Sequence, residues 1–364
     1  MMMTRAGAVL NVNLAAISAN YQYLCKQAPT TKVAAVVKSN AYGLGAEEIA
    51  TQLRSDKCDT FFVAHLEEGI KLRKALGRSP EIFILNGIPN NYADEFLANH
   101  LTPVINSLSD LELWRALAKQ SGNSLTAALQ FDTGMSRLGL SAKDIQKINA
   151  VPSLIAGINV GLTMSHLACA GDPSNPANEQ QRQAFDALCK TMPKTKRSLA
   201  NSSGIFLSGE FHYDIARPGA ALYGINPTGD SSNPMKPVVQ LQARILEIRD
   251  AAVGTQVGYD YLYKASKPRR LATLSIGYAD GWHRQWTSGA MYQGIYLPVV
   301  GRISMDSMVV DITDVPEAQL SRNMFVDLIN TEQTLDKIAD TQHTIGYEVL
   351  TSIGERVERR YSNK

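Results

Sequence analysis

The sequence predicts an α/β chain of two parts, a closed (β/α)8 barrel of TIM type followed by a mainly antiparallel β domain, and three observations carry this. Its 364 residues exceed the roughly 250–300 at which one hydrophobic core stops growing. From residue 32 to about 225, short β-branched runs alternate with stretches of helical period. Residues 226–237, NPTGDSSNPMKP, then have the composition of a domain linker, and beyond them the pattern changes.

Eight strands are expected in the first part, over 33–37, 60–64, 81–85, 102–105, 126–131, 157–165, 197–200 and 213–223, the last broken at Pro218. Helices are expected at 46–54, 67–76, 110–121 and 179–191. In the second of these Ile70, Leu72, Ala75 and Leu76 leave Glu68, Lys71, Arg73 and Lys74 to solvent. Strict alternation implies a parallel sheet, and eight units in about 200 residues fit a barrel better than an open sheet. An earlier helix, 13–26, starts on Asn13 as N-cap. After the linker, 238–249, 269–276, 295–300, 307–312 and 324–328 are strand-like, and 335–341 is the one clear helix. The expected domains are therefore 11–230 and 231–364, the second joined by an N-terminal strand within 1–10.

Composition narrows the function classes. Lys plus Arg total 36 against 34 Asp plus Glu, and charged residues make up 19%, below the usual ~25%, which argues against a nucleic-acid groove. No run reaches the ~18 apolar residues of a membrane span, and 1–19 make a poor signal peptide, so a cytoplasmic protein is expected. Cys25, Cys58, Cys169 and Cys189 show neither CxxC nor Cys/His spacing, so four buried thiols are expected, with no metal site and no disulfide framework.

The chemistry-bearing residues fall at the carboxyl ends of the strands, where such barrels build their sites. Lys38 follows the first strand directly, with Asn40, Tyr42, Gly43 and Gly45 in a glycine-rich turn behind it; a desolvated lysine is the side chain that forms Schiff bases. Arg137 arrives after strand five, His166 after strand six, Asn201 and Ser202 after strand seven, and Arg217 on strand eight. Singly, each has an ordinary structural explanation as a surface ion pair, a core histidine or a helix cap. Ser202, Ser203, Gly204 and Gly219 suit a phosphate between the last two loops.

The motifs AVVKSNAYG, DTGMSRLG, ANSSG, RPGAALYG, SIGYADGW and GRISMD together resemble bacterial alanine racemase over nearly the whole chain. The resemblance implies a pyridoxal 5'-phosphate enzyme acting on alanine, with Lys38 as the Schiff-base lysine. Tyr42, Ser202 and the backbone of Gly219 and Ala220 would meet the phosphate, with Asn201 beside them. Arg217 would face the pyridine nitrogen, His166 the ring, Arg137 the cofactor oxygen and substrate carboxylate, and the main chain of Met305 that carboxylate too. Gln130 and Asp306 would support them. Tyr259, in VGYDYLY, maps to the second base, which in the family reaches the partner subunit's site; a homodimer with shared sites is thus implied, making D-alanine for peptidoglycan or consuming it.

Racemisation needs two groups in any case, one base on each face of the α-carbon. Arginine opposite the pyridine nitrogen can only donate a hydrogen bond and leaves that nitrogen neutral, which favours reprotonation at the α-carbon over transamination. Two departures stand out. Many relatives carry a carbamylated lysine at the Gln130 position, and its missing charge leaves either a chloride-like anion or ordered water beside Arg137. Glu355 stands where some relatives have a gate tyrosine, a place that Tyr261, Tyr263 or Tyr347 could fill. A decarboxylase of the same architecture would carry an acidic pyridine partner and a cysteine after residue 189, and a non-catalytic cofactor carrier would need no Tyr259.

Overall fold

The computed structural model describes residues 4–229 and 232–363 and separates into two compact units. One comprises Ile17–Ala41 and Gly45–Lys236; the other comprises the residues up to Ala16, Tyr42–Leu44, and the chain from Pro237 onward. The expected boundary at 230/231, within the expected linker, lies outside the described residues.

In the first unit a seven-stranded parallel sheet runs Ala35–Val36, Thr60–Val63, Glu81–Ile84, Thr102–Ile105, Leu125–Gln130, Ile158–Met164, Lys196–Ser198. The short strand Ile215–Ala216 closes it. Its neighbours bond on both sides, through Arg217 N–H to Ala200 O at 2.9 Å and Ala34 N–H to Ala216 O at 2.9 Å. The result is the expected (β/α)8 barrel. Its interior is packed by Ala34, Val36, Phe62, Phe83, Val104, Ala128, Leu162, Met164 and Ile215, where small residues make room for two phenylalanines stacked at 4.8 Å. Each large apolar side chain buried there contributes about 1.5–3 kcal/mol.

The entry helix is Leu14–Gln27, with Asn13 Oδ1 accepting from Ala16 N–H at 2.9 Å as its cap. The eighth strand is shorter than expected: after Pro218 the chain turns into a 3-10 segment, Ala220–Tyr223, ended by left-handed Gly224. All four cysteines are free, but only Cys58 and Cys189 are buried, whereas Cys25 and Cys169 are half-buried.

The second unit is built on an eight-stranded sheet with the path Ile295–Leu297, Ala290–Tyr292, Phe325–Ile329, Val239–Ala251, Ala8–Asn13, Glu358–Ser362. Val239, Leu241, Ala243 and Ile245 are buried on alternate positions, the pattern of a strand with one covered face. An irregularity between Ile245 and Glu247 lets the far half of this strand pair with Arg269–Leu274, which in turn pairs with Met308–Asp311. Pairing is antiparallel except between Ala8–Asn13 and Glu358–Ser362. A second helix, Gly346–Ser352, joins Leu335–Thr341, correcting the expectation of one. It is short and opens on glycine, so its period is weak in the sequence. Among the described residues no helix is long and apolar enough to cross a membrane.

Candidate active site

Lys38 leaves the barrel where its first strand ends, Val37 N–H having bonded Phe62 O at 2.9 Å. The backbone then makes a left-handed turn. Ser39, Asn40, Ala41 and Tyr42 have φ of 53°, 54°, 53° and 57°, although none is glycine. Each such residue costs roughly 1–2 kcal/mol. The turn is held by Ala41 N–H to Val37 O and Gly45 N–H to Asn40 O, both 2.9 Å, and by Ala46 N–H to the Asn40 side chain at 2.9 Å. Burial pulls the Lys38 ammonium below the ordinary lysine range, Arg137 adds to this by repulsion, and Glu68 opposes it. More of the free amine therefore exists near neutrality.

Arg217 is 4% exposed, and among the described residues it has no carboxylate partner. One terminal nitrogen donates to Ser198 Oγ; the other donates to Ser165 O at 2.6 Å and lies 3.5 Å from His166 Nδ1. Among the described residues its Nε–H has no hydrogen-bond partner. Burial draws the guanidinium down to about 9, which leaves it charged at neutral pH. His166 is driven the same way, to about 3, by burial and then by the positive charges of Arg217, Arg137 and Lys38, so its imidazole is neutral. Gln181, in the helix Ala177–Lys190, steadies the His166 segment by donating to His166 O at 3.0 Å and accepting from Ala168 N–H at 2.8 Å.

Near the last two strands, buried Ser202 accepts N–H bonds from Gly219 at 3.0 Å and Ala221 at 3.2 Å, leaving its own O–H to donate elsewhere. Gly219 N–H is thus engaged, while among the described residues the buried Ala220, first in its 3-10 segment, has no partner for its main-chain N–H. Asn201 is a cap: its Oδ1 accepts from Gly204 N–H at 2.9 Å, and its amide donates to Leu167 O at 3.4 Å. Gln130 donates to Leu138 O at 3.2 Å and makes no bond to Arg137. Arg137 is exposed in the single chain, and among the described residues it has neither ion pair nor side-chain hydrogen bond.

In the β unit, Tyr259 is 63% exposed, with the Arg284 guanidinium carbon 5.7 Å from its ring centroid, and Tyr261 and Leu262 beside it are equally exposed. Met305 O accepts from Ala279 N–H at 3.0 Å, and among the described residues the Met305 N–H has no partner. The loop is braced by Arg356, which pairs with Asp306 at 2.7 Å and with buried Asp280 at 2.8 Å. Gly277 has to be glycine, since a Cβ there would stand 2.3 Å from Ser304 O. Tyr42 is buried with its ring 5.8 Å from that of Tyr347; burial, and then Tyr347, push its phenol up. Glu355 is exposed.

Lys38, Arg137, His166, Ser202 and Arg217 therefore share one unit, and Tyr259, Met305 and Asp306 the other. Phe62, Ser165, Ser198, Gln181 and Glu68 were not singled out for chemistry by their sequence context. Only Glu68 had a signal, as the third residue of a helix with a capping box on His65.

The donor set fits a heteroaromatic phosphate ester with an aldehyde: an amine with depressed basicity, a buried donor-only cation, and a serine hydroxyl and free amide at the phosphate end. Residues 12–227 match the family model for the alanine racemase N-terminal domain, and 238–361 that for the C-terminal domain. The chain is 48% identical over 356 residues to a Mesorhizobium japonicum protein named alanine racemase, catabolic, covering 98% of this chain and 93% of that one. It is 42% identical to an Agrobacterium fabrum protein of the same name, covering 97% of this chain and 91% of that one. The crystal structure of the Bartonella henselae alanine racemase with covalently bound pyridoxal phosphate superposes with a TM-score of 0.94 at 40% identity, over 98% of this chain and 100% of that one.

Proposed function

The chain belongs to the alanine racemase family, and we propose that it interconverts L- and D-alanine with pyridoxal 5'-phosphate, using Lys38 on one face and the partner subunit's Tyr259 on the other. The observation that carries this reading is the pairing of a desolvated Lys38 with a buried Arg217 that lacks any carboxylate. When bound, the cofactor withdraws electrons from the substrate α-carbon and makes its proton removable.

The chain's own groups do the rest. Lys38 would hold the cofactor, and its free amine would take or return the α-proton on its side. The free Nε–H of Arg217 is suited to a neutral ring nitrogen and cannot protonate it fully. Neutral His166 accepts rather than repels at Nδ1. The Ser202 hydroxyl and the Ala220 amide are donors for the phosphate, and the unpaired Met305 N–H and Arg137 are donors for the substrate carboxylate.

A tyrosine titrates near 10, so a phenolate at pH 7 costs about 4 kcal/mol without help. The positive charges of Arg137 and Arg217 supply it. The exposed Tyr259, Tyr261 and Leu262 suit a surface that a second copy covers, so the working form is a cytoplasmic homodimer with two shared sites. Because Gln130 brings no charge, either a small anion such as chloride or ordered water stands by Arg137 in that dimer. The catabolic names of two relatives favour consumption of D-alanine over its supply to peptidoglycan. Purified protein incubated with L-alanine should yield both enantiomers on chiral analysis; a failure to form D-alanine would refute the activity.

A further inference from the structure

Four consecutive non-glycine residues in left-handed conformation persist only where their surroundings hold them. The first of them, Ser39, is held from outside the turn. Glu68 Oε1 accepts the Ser39 N–H at 2.5 Å, while Oε2 accepts those of Ala64 at 2.7 Å and His65 at 2.9 Å. Capping of the helix Leu66–Leu76 explains the bond to His65. It does not explain the bond to Ser39, which belongs to the loop of the preceding barrel strand.

We propose that Glu68 is a positioning residue for Lys38: its carboxylate ties the first amide of the left-handed turn to the end of the second barrel strand and so fixes where the Lys38 side chain starts. This rests on Lys38 being the cofactor lysine. Arg137 and Glu68 are the charged groups that act on the Lys38 amine, in opposite senses.

The test uses Glu68→Gln, which removes the charge and one acceptor. In cofactor-free protein, amine labelling of the Lys38 peptide is followed against pH by mass spectrometry; loss of the carboxylate should move its midpoint down by roughly half a unit. In the holoenzyme, kcat should fall about tenfold while the KM for alanine stays within about twofold. Adding Ser39→Gly, which takes positive φ freely, should restore most of the lost kcat without restoring the midpoint. A fall in Tm with kcat and midpoint unchanged would reduce Glu68 to a cap and overturn the proposal, as would a kcat loss that Ser39→Gly leaves untouched. If Glu68→Gln does not fold, Glu68→Asp, with the charge kept and the reach shortened, must lower kcat and be rescued by the same glycine; unchanged kcat overturns the proposal. Mapping the borohydride-fixed cofactor in wild-type protein tests Lys38 separately, so the two readings fail independently.

Discussion

The guanidinium carbon of Arg217 lies 5.9 Å from the centroid of the Phe62 ring, and Phe62 is itself stacked on Phe83. A buried cation without a carboxylate is expensive, and here the face of an aromatic ring, the carbonyl of Ser165 and the hydroxyl of Ser198 stand in for one. The guanidinium stays charged at neutral pH and can only donate hydrogen bonds, which is what the proposed racemase reading needs at the ring nitrogen.

Lys38 is expected to hold the cofactor. Purified protein should be yellow, and borohydride should fix the cofactor to one peptide; recovery of the label on any other lysine refutes the assignment.

Tyr259→Phe removes the proton carrier on one face only. In deuterated water the variant should exchange the α-hydrogen of one alanine enantiomer while barely interconverting the two. Equal α-hydrogen exchange of the two enantiomers would contradict a separate base on each face.

Mixing inactive Lys38→Ala with inactive Tyr259→Phe subunits should restore activity, because each hybrid dimer contains one site with both bases. Proven hybrids without recovery would place Tyr259 in its own chain's site.

Halide dependence is the expectation of the anion reading, because Gln130 is neutral and its side-chain nitrogen donates to Leu138 O. Bromide-soaked crystals of the dimer should show an anomalous peak within hydrogen-bonding reach of Arg137. No peak, with full activity in halide-free buffer, would mean that water suffices.

His166 should remain neutral through the range where an ordinary histidine titrates, near 6.5. Its folded pKa, about 3, lies below the unfolded value, so the unfolded chain binds the proton first as pH falls. Its contribution to stability is therefore complete above about pH 6.5 and declines from there toward about pH 3, and His166→Gln should flatten that part of the stability profile. A nitrogen-15 histidine titration of the cofactor-free protein that placed the His166 midpoint near 6.5 would refute this.

The barrel was legible because its strands are buried on both faces and read as continuous apolar runs, while its helices keep one polar side. Lys38, Arg137, His166 and Arg217 could be singled out as candidates because strand ends in such a barrel converge on one rim, and in the structure the three cations lie near enough to act on His166. The turn after Lys38 was not, since Ser39, Ala41 and Tyr42 carry no mark of positive φ. Glu68 was missed as a partner of Ser39 because the bond joins two loops that only the closed sheet brings together. The shortened eighth strand also escaped notice: Ala220, Ala221, Leu222 and Tyr223 are all buried, and an apolar run of that length fits strand and 3-10 turn equally.

The parallel pairing of Ala8–Asn13 with Glu358–Ser362 has a consequence for synthesis. One neighbour of the first strand, Val239–Ala251, emerges from the ribosome only after the whole barrel, and the other comes more than a hundred residues later still. At roughly 5–20 residues per second, the opening strand of the sheet waits for tens of seconds with both edges unpaired. The nascent chain thus carries an exposed template for strand addition during the interval in which the barrel is being completed. A chain truncated just short of residue 358 would have a complete barrel sequence but would leave Ala8–Asn13 without one of its two neighbours.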